Sequence, residues 1–181
     1  MTTLRPFRCT DLFKLNQINM DPLTETYGLS FYLNYLAVWP EYFKVIESPS
    51  GRLMGYIMGK SEARHNVPTD WHGHVTALTV HPNFRRLGLA AKLMATLENT
   101  SDRRKCYFVD LFVRVSNTVA VQMYKNLGYT IYRQIVGYYS APPGSNMENE
   151  DAYDMRRALR MDKEGKSVIP IKEPVPADEV T

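Results

Sequence analysis

The sequence contains little cysteine, no long apolar run and little excess charge of either sign. Its two cysteines, Cys9 and Cys106, lie far apart, without the spacing of metal ligands or of a disulfide framework. The first residues contain no apolar run of the kind that a signal peptide has, so none is predicted. No segment reaches the ~20 apolar residues of a membrane span. A net charge of +3 is too small to indicate nucleic-acid binding. These absences predict a cytoplasmic protein with reduced thiols that binds neither membrane nor nucleic acid.

Two hydrophobic periods alternate along the chain. Apolar residues recur at helical spacing in four segments, and alternating or continuous apolar runs predict about seven strands. This order predicts an α/β (α+β) domain at residues 1–160, with about four helices flanking one twisted mixed sheet. The charged, proline-containing tail at 161–181 is expected to be disordered or partner-bound. The predicted helices lie at 10–19, 31–39, 83–99 and 117–128, and the strands at 4–9, 42–47, 53–61, 74–80, 106–115, 130–139 and 152–159.

A short basic segment joins one of these strands to the helix that follows it. The first N–H groups of a helix lack partners and carry partial positive charge, glycine permits close approach, and arginine adds forked donors. A pyrophosphate site is therefore predicted here, although on spacing alone an ordinary loop with solvated arginines fits equally well. The residues of this predicted site are Arg85, Arg86, Leu87, Gly88, Leu89 and Ala90.

The same segment, VHPNFRRLGLAAKLM, resembles the acetyl-CoA motif Q/R-x-x-G-x-G/A of the GNAT superfamily of N-acetyltransferases. Arg85, Gly88 and Ala90 occupy its three fixed positions. The resemblance implies a GNAT-like fold, acetyl-CoA as the cosubstrate, and loop N–H groups that hold its pyrophosphate. We also expect a backbone N–H near Leu78 to Val80 to polarise the thioester carbonyl.

A second pattern, N-x-x-A-x-x-x-Y-x-x-x-G-Y, begins at Asn117 and surrounds a predicted helix. On the residues alone, a cap at Asn117 with Ala120 and Tyr124 in the core is the simpler interpretation. The pattern also resembles the GNAT helix that flanks the pantetheine arm, whose tyrosine often protonates the departing thiolate. This implies that Asn117 and Tyr124 bind the cofactor and that Tyr124 is the general acid. A phenol can donate a proton as charge develops on sulfur.

Three further segments bear on the acyl acceptor, which a fold alone does not fix. They are DPLTETYGLSFY at 21–32, WHGHVTAL at 71–78 and the stretch 138–155. Together they resemble the catalytic subunits of N-terminal acetyltransferases, over nearly the whole chain to about residue 160. The first segment, with VDLFVRVSNTVAVQMYK at 109–125, is similar to the NatB class in particular.

The resemblance to the NatB class implies a substrate and a partner. The substrate is the α-amino group of nascent chains beginning Met-Asp, Met-Glu, Met-Asn or Met-Gln. The partner is a large helical-repeat auxiliary subunit that brings the enzyme to ribosomes. The aromatic segment at 31–39 is a candidate docking surface, with an internal core helix as an equally good interpretation, and the tail at 161–181 is a second candidate.

A pocket for an acidic or amide side chain needs hydrogen-bond donors. His72, His74 and Thr76 alternate along one predicted strand and share a face. His74 and Thr76 are the candidates for binding the second side chain of the substrate, whereas His72 is expected to be exposed or structural. Tyr138 and Tyr139 are candidates for enclosing the peptide. One of these two is expected in the core, because strand neighbours point to opposite faces.

The resemblance places the loop containing Glu25 and Tyr27 over the peptide. An α-amino pKa near 7.7–8.0 leaves much neutral amine, so a weak or water-relayed base is sufficient. Tyr27, Glu25 and His74 are candidate relay members, among which the sequence does not choose, and a surface carboxylate is an equal alternative for Glu25. No metal is expected, because His72 and His74 lack a third ligand at suitable spacing.

Two other function classes share some of these features. A lysine or small-molecule acetyltransferase would carry both coenzyme motifs but differ at 21–32 and 138–155. A non-catalytic acyl-CoA-binding module would be expected to lose Tyr124 or the loop at 85–90, and both are present.

Overall fold

The computed structural model describes residues 2–20, 24–63, 67–141, 144 and 148–180. Within these residues, eight strands form one mixed sheet in the order β1-β2-β3-β4-β5-β7-β6-β8. Neighbours pair antiparallel except for two parallel pairs, β4 with β5 and β6 with β8. The strands are β1 (Thr3–Pro6), β2 (Lys44–Glu47), β3 (Leu53–Glu62), β4 (His72–Val80), β5 (Phe108–Arg114), β6 (Thr130–Tyr139), β7 (Glu150–Ala158) and β8 (Val175–Pro176).

Four helical segments longer than a single turn flank the sheet in the described residues. Three are α-helices, namely α1 (Leu29–Val38), α2 (Leu89–Arg103) and α3 (Thr118–Asn126). The fourth, Cys9–Gln17, is a 3-10 helix, so the strand predicted to reach Cys9 ends at Pro6. Shorter 3-10 turns lie at Pro40–Tyr42, Pro68–Asp70, Pro82–Phe84, Lys166–Val168 and Ala177–Glu179.

The predicted fold class, one mixed sheet flanked by helices, is confirmed, but the strand count is eight rather than about seven. The additional strand, β8, lies in the tail. It pairs with β6, where Ile135 of β6 is the partner of Val175 of β8. Val180 is buried nearby against Ile135 and Ala152. A division of the chain at residue 160, and binding of a partner to the tail, stay predictions.

The two faces of the sheet carry different helices. Side chains alternate between the two faces along β3, and Ile57 packs in a core cluster with Leu97 of α2. The neighbouring residue, Tyr56, packs on the opposite face with Tyr32 of α1. Any group that must be reached from both faces therefore needs an opening in the sheet. No helix of the described residues is both long and apolar enough to cross a bilayer.

The central strands β4 and β5 provide such an opening. Their parallel pairing covers only His72–Val75 and Phe108–Leu111. Each strand continues beyond this pairing, β4 to Val80 and β5 to Arg114. Within the described residues, β4 beyond Val75 has no strand partner on its β5 side, so main-chain N–H groups on that edge can be reached by a ligand.

A bulge in β4 lies next to this opening. Met58 of β3 pairs with Ala77, whereas Gly59 pairs with Val75. Thr76 is therefore an extra residue in β4, and such bulges redirect side chains, often beside active sites.

Gly59 allows the backbone of β4 and helix α2 to approach β3 closely. An added methyl group would lie 2.5 Å from the carbonyl oxygen of His74 and 2.6 Å from Cδ1 of Leu97. We expect Gly59→Ala to lower the free energy of unfolding by about 1–3 kcal/mol, as for overpacked cores. Denaturant and thermal unfolding measure this. Gly28→Ala is the control, because no heavy atom lies within 4 Å of its added methyl, and equal stability of the two variants would contradict the prediction.

Candidate active site

The loop at 85–88 leads into the start of α2. The Arg85 N–H donates to the carbonyl oxygen of Pro82 at 3.3 Å, and the N–H groups that follow it precede the first turn of the helix. Arg86 and Gly88 both have left-handed backbones, with φ of 65° and 72°, and no side chain caps the helix at Gly88. Leu89 is buried and anchors the first turn, whereas Arg85, Arg86, Leu87 and Gly88 are exposed. This is the geometry of an anion site, in which unpaired N–H groups and the helix dipole point at a ligand.

The remaining predicted cofactor residues lie around this loop. Nε of Arg85 donates to the carbonyl oxygen of Val80 at 3.3 Å, which links the loop to the end of β4. Leu78 and Val80 pack partly buried on the α2 face of the sheet. Ala90 is half-buried in the first turn of α2. Among the described residues, no group of three His, Cys, Asp or Glu side chains is placed to bind a metal.

Tyr124 lies on α3, on the same face of the sheet as α2. Asn117 caps this helix, its side chain accepting from the Ala120 N–H at 3.2 Å. The Tyr124 side chain is 8% exposed, and burial raises its pKa above the ordinary value. Its hydroxyl hydrogen-bonds to no group of the described residues, whereas that of neighbouring Tyr129 donates to Glu98 at 2.9 Å. A buried phenol with a raised pKa retains its proton and can donate it.

The opposite face carries the predicted peptide-binding residues. Tyr27 stacks on Phe31 of α1, with ring centroids 4.3 Å apart, and its hydroxyl donates to the carbonyl oxygen of Thr76 at 3.4 Å. The Thr76 hydroxyl donates to the Tyr35 hydroxyl at 2.9 Å. Burial, and then the charge of Glu25, raise the pKa of Tyr27. The loop before α1 therefore lies against the bulge in β4.

The two histidines of β4 have different environments. His72 is fully buried, stacks on Phe108 at a centroid distance of 4.7 Å, and its Nδ1 lies 2.5 Å from the carbonyl oxygen of Asp70. This structural bond is one of the two outcomes expected for it. The side chain of His74 keeps 12% exposure, and its Nδ1 lies 2.8 Å from Oδ1 of Asp110.

Arg114, at the end of β5, connects the two segments that lie over this face. Its Nη2 lies 2.6 Å from Oε1 of Glu25, and its Nη1 lies 2.9 Å from Oε2 of Glu150. The guanidinium carbon is 4.1 Å from the ring centroid of Tyr139. Glu25 is therefore held by a cation, an arrangement that orders the loop before α1 against the start of β7.

Tyr138 and Tyr139 have similar burial, and neither side chain is fully buried in the core. Their rings are in edge contact, with centroids 5.0 Å apart, and both are only partly buried. The register of β6 against β7 shifts between Ile135 and Tyr139, and Gly137 has a φ of 65°, so strict alternation is lost. The expectation that one of the pair is core is therefore wrong. Both lie beside Phe112, as part of one small cluster.

The opening between β4 and β5 joins the two halves of the site. On the face of α2 and α3 lie the loop at 85–88 and Tyr124. On the face of α1 lie Tyr27, His74 and Thr76. An acyl donor bound along one face can thus meet an acceptor bound on the other, with a phenol beside the donor.

Sequence reasoning missed three polar contributors to this site, Arg114, Glu150 and Asp110. One signal was available for Asp110, a carboxylate inside a near-continuous apolar strand, because a buried charge must be paired. Arg114 and Glu150 had no such signal. Their roles depend on the pairing of β5 with β7, which places residues distant in sequence side by side.

The fold and the site define the class, and comparison with known proteins agrees. The sequence profile of the acetyltransferase (GNAT) family matches residues 12–129. The chain therefore belongs to the GNAT family of acetyltransferases, whose members use acetyl-CoA. The resemblance stated from the sequence is confirmed.

Particular relatives narrow the class. The chain is 55% identical to the N-terminal acetyltransferase B complex catalytic subunit NAA20 of Arabidopsis thaliana, covering 99% of this chain and 98% of that protein. It is 42% identical to the corresponding subunit NAT3 of Saccharomyces cerevisiae, over 94% and 93% of the two chains. Naa20 of Chaetomium thermophilum, solved with a bisubstrate analogue, superposes with a TM-score of 0.91 at 42% identity, covering 99% of both chains. This chain is accordingly an N-terminal acetyltransferase of the NatB catalytic-subunit class.

Proposed function

We propose that this chain transfers acetyl from acetyl-CoA to the α-amino group of nascent chains that begin Met-Asp, Met-Glu, Met-Asn or Met-Gln. The observation that carries the proposal is the opening between β4 and β5. It has a buried phenol on one face, and hydrogen-bonding side chains of β4 and the loop before α1 on the other. Such an arrangement suits direct transfer between two bound molecules.

Acetyl-CoA would be held at its pyrophosphate by the N–H groups of residues 86–90, with Arg85 contributing its side chain because its own N–H donates to Pro82. Arg85 and Arg86 add positive charge at the surface. Asn117 supports this part of the site by capping α3, its side-chain oxygen being used by Ala120. An N–H group of β4 near Leu78 to Val80, beyond the pairing with β5, would polarise the thioester carbonyl.

In the reaction, the amine nitrogen bonds to the acetyl carbon, and the carbon–sulfur bond breaks. Tyr124 donates its proton to the leaving thiolate, and the amine loses one proton to the relay on the peptide side. A neutral α-amine is already abundant near its pKa, so no strong base is needed. Because its pKa is raised, Tyr27 serves as a hydrogen-bonding group, and Glu25 is occupied by Arg114. The amine proton can therefore pass to water, which Tyr27, Glu25 and His74 would orient by hydrogen bonds.

The peptide would lie between the loop before α1 and β6. Tyr27, Tyr138 and Tyr139 enclose its backbone and first methionine, and His74 and Thr76 meet its second side chain. Glu25 contributes to the same wall through its bond to Arg114. An amide or acidic second side chain finds hydrogen-bonding partners here, whereas an apolar one would leave them unpaired.

A second part of the proposal concerns the partner. Large apolar side chains are exposed on the first 3-10 helix and α1, and they include Phe13, Leu29, Leu33 and Val38. Exposed apolar surface of this kind suits a protein interface. A solved NatB complex with a bisubstrate inhibitor contains a chain matching this one with a TM-score of 0.82 at 38% identity, covering 99% of both. We propose that a large helical-repeat auxiliary subunit covers this surface and places the enzyme at ribosomes in the cytoplasm.

A thiol-release assay with acetyl-CoA tests the substrate. The peptides begin Met-Asp, Met-Leu or Ser-Glu, and a fourth is Met-Asp with a blocked α-amine and a free lysine. The assay uses the chain alone and in complex with its auxiliary subunit. We expect turnover only on the free Met-Asp terminus, with kcat/KM at least ~100-fold above that for Met-Leu.

Two outcomes would contradict the proposal. Turnover on the blocked peptide would identify a lysine acetyltransferase. A verified complex that binds acetyl-CoA but acetylates no peptide would identify a non-catalytic acyl-CoA-binding module.

A further inference from the structure

A buried carboxylate lies directly behind His74. His74 of β4 and Asp110 of β5 are partners in the parallel pairing, so their side chains are neighbours on one face of the sheet. His74 Nδ1 lies 2.8 Å from Oδ1 of Asp110, whose side chain is fully buried. A carboxylate accepts hydrogen bonds, so Nδ1 of His74 carries the proton that Asp110 binds.

The other histidine of β4 does not use Asp110 in this way. Nδ1 of His72 lies 2.5 Å from the carbonyl oxygen of Asp70, an atom that only accepts. Nε2 of His72 is 3.7 Å from Oδ2 of Asp110, which is longer than a hydrogen bond. Of the two rings, Asp110 therefore hydrogen-bonds to that of His74.

Because Nδ1 of His74 is bonded to Asp110, the other ring nitrogen, Nε2, can contact a peptide bound on this face. The His74 ring contacts the ring of Phe112, with centroids 5.2 Å apart. The Phe112 ring also contacts that of Tyr138, with centroids 4.9 Å apart. The Thr76 hydroxyl donates to Tyr35, so its proton is already used. Nε2 of His74 is thus the nitrogen in this part of β4 that can meet a substrate side chain.

We propose that Asp110 is a positioning residue that sets specificity, by fixing the ring and tautomer of His74 so that Nε2 binds the second side chain of the substrate. This inference rests on the proposed function. It adds a residue that does not touch the peptide and acts through one that does. Buried carboxylates behind functional imidazoles commonly fix ring orientation in this way.

The charge of Asp110 should contribute more to the binding of a substrate whose second side chain is acidic than to the binding of one whose second side chain is an amide. A carboxylate only accepts, so binding at Nε2 requires protons on both ring nitrogens and hence a cationic ring. Asp110 compensates that charge from the opposite side. The amide of asparagine can donate to an unprotonated Nε2, so it needs the orientation of the ring but not the charge of Asp110.

The test compares Asp110→Asn, Asp110→Ala, His74→Ala and the double variant His74→Ala/Asp110→Asn, each in complex with the auxiliary subunit. Asparagine keeps an oxygen that accepts from Nδ1 but removes the charge. We expect Asp110→Asn to raise KM for a Met-Asp peptide about tenfold, with less change for Met-Asn and with kcat nearly unaltered. Asp110→Ala should raise KM for both peptides, because the orientation is lost as well.

The double variant separates a role through His74 from a general structural one. In the His74→Ala background, Asp110→Asn should have no further effect on KM, because the ring through which Asp110 acts on the substrate is gone. Additive losses, or an unchanged ratio between the Met-Asp and Met-Asn peptides in Asp110→Asn, would overturn the proposal. A wild-type complex without preference for Met-Asp would instead refute the proposed function, before any variant is compared.

A measurement on the unaltered protein covers the case in which the variants do not fold. Nitrogen-15 NMR of the neutral histidine rings reports the tautomer of each. We expect His74 to carry its proton on Nδ1. A proton on Nε2 would refute the proposal without any substitution.

Discussion

Replacing Tyr124 by phenylalanine is expected to lower kcat by about 100- to 1,000-fold, within the usual range for loss of a general acid. The substitution removes one oxygen and keeps the ring, which is 8% exposed and packs on Tyr129. The hydroxyl has no partner within the described residues to leave unpaired. Binding of acetyl-CoA should therefore change little. Steady-state kinetics with a Met-Asp peptide, and calorimetric titration with acetyl-CoA, measure the two effects.

Tyr129→Phe is the matched control, because it deletes the same atom from the neighbouring ring. The Tyr129 hydroxyl donates to Glu98 at 2.9 Å within the core. Its loss should cost about 1–3 kcal/mol of stability and leave kcat nearly unchanged. The two variants should thus differ: Tyr124→Phe loses activity and keeps stability, whereas Tyr129→Phe loses stability and keeps activity. A Tyr124→Phe enzyme with at least a third of wild-type kcat would show that another group protonates the thiolate.

The pH dependence of kcat adds a check on the same assignment. Burial raises the pKa of Tyr124, and a general acid acts only while it holds its proton. The hydroxyl therefore stays protonated through and above pH 10, the ordinary pKa of a phenol. A loss of kcat between pH 7 and 9 that disappears in Tyr124→Phe would contradict this.

The motifs that sequence reasoning found are those contained in one strand, loop or helix. The loop at 85–90 and Tyr124 each follow from a local pattern, because a helix start and a helix face are set by neighbours in sequence. The alternation of His74 and Thr76 also follows from one strand. The bulge at Thr76 does not, since it exists only in the pairing of β4 with β3.

The contacts that sequence reasoning missed join distant strands. Asp110 meets His74 because β4 and β5 pair in parallel with one particular register, and a shift by one residue would turn the carboxylate to the other face. Tyr138 and Tyr139 lie together because Gly137 interrupts the alternation of β6. Such registers depend on the packing of the whole sheet, which local periodicity does not determine.

The second large effect is expected on the KM for acetyl-CoA, at the start of α2, where its pyrophosphate is proposed to bind. We expect Gly88→Asp to raise KM for acetyl-CoA about 10- to 100-fold, because a carboxylate would stand where the pyrophosphate is proposed to bind. Gly88→Asn is the matched control, since both residues tolerate the left-handed backbone at φ of 72°. It should raise KM only a few-fold. Kinetics at several acetyl-CoA concentrations measure both values.

Stability and binding should move in opposite directions in the aspartate variant. An aspartate at this position places a negative charge at the positive end of the α2 helix dipole, an interaction that is favourable. Gly88→Asp should therefore unfold at a temperature no lower than Gly88→Asn, although it binds acetyl-CoA more weakly. Added salt should narrow the gap in KM, because the site is exposed and its charges are screened. Equal KM values for the two variants would show that the start of α2 does not hold the pyrophosphate.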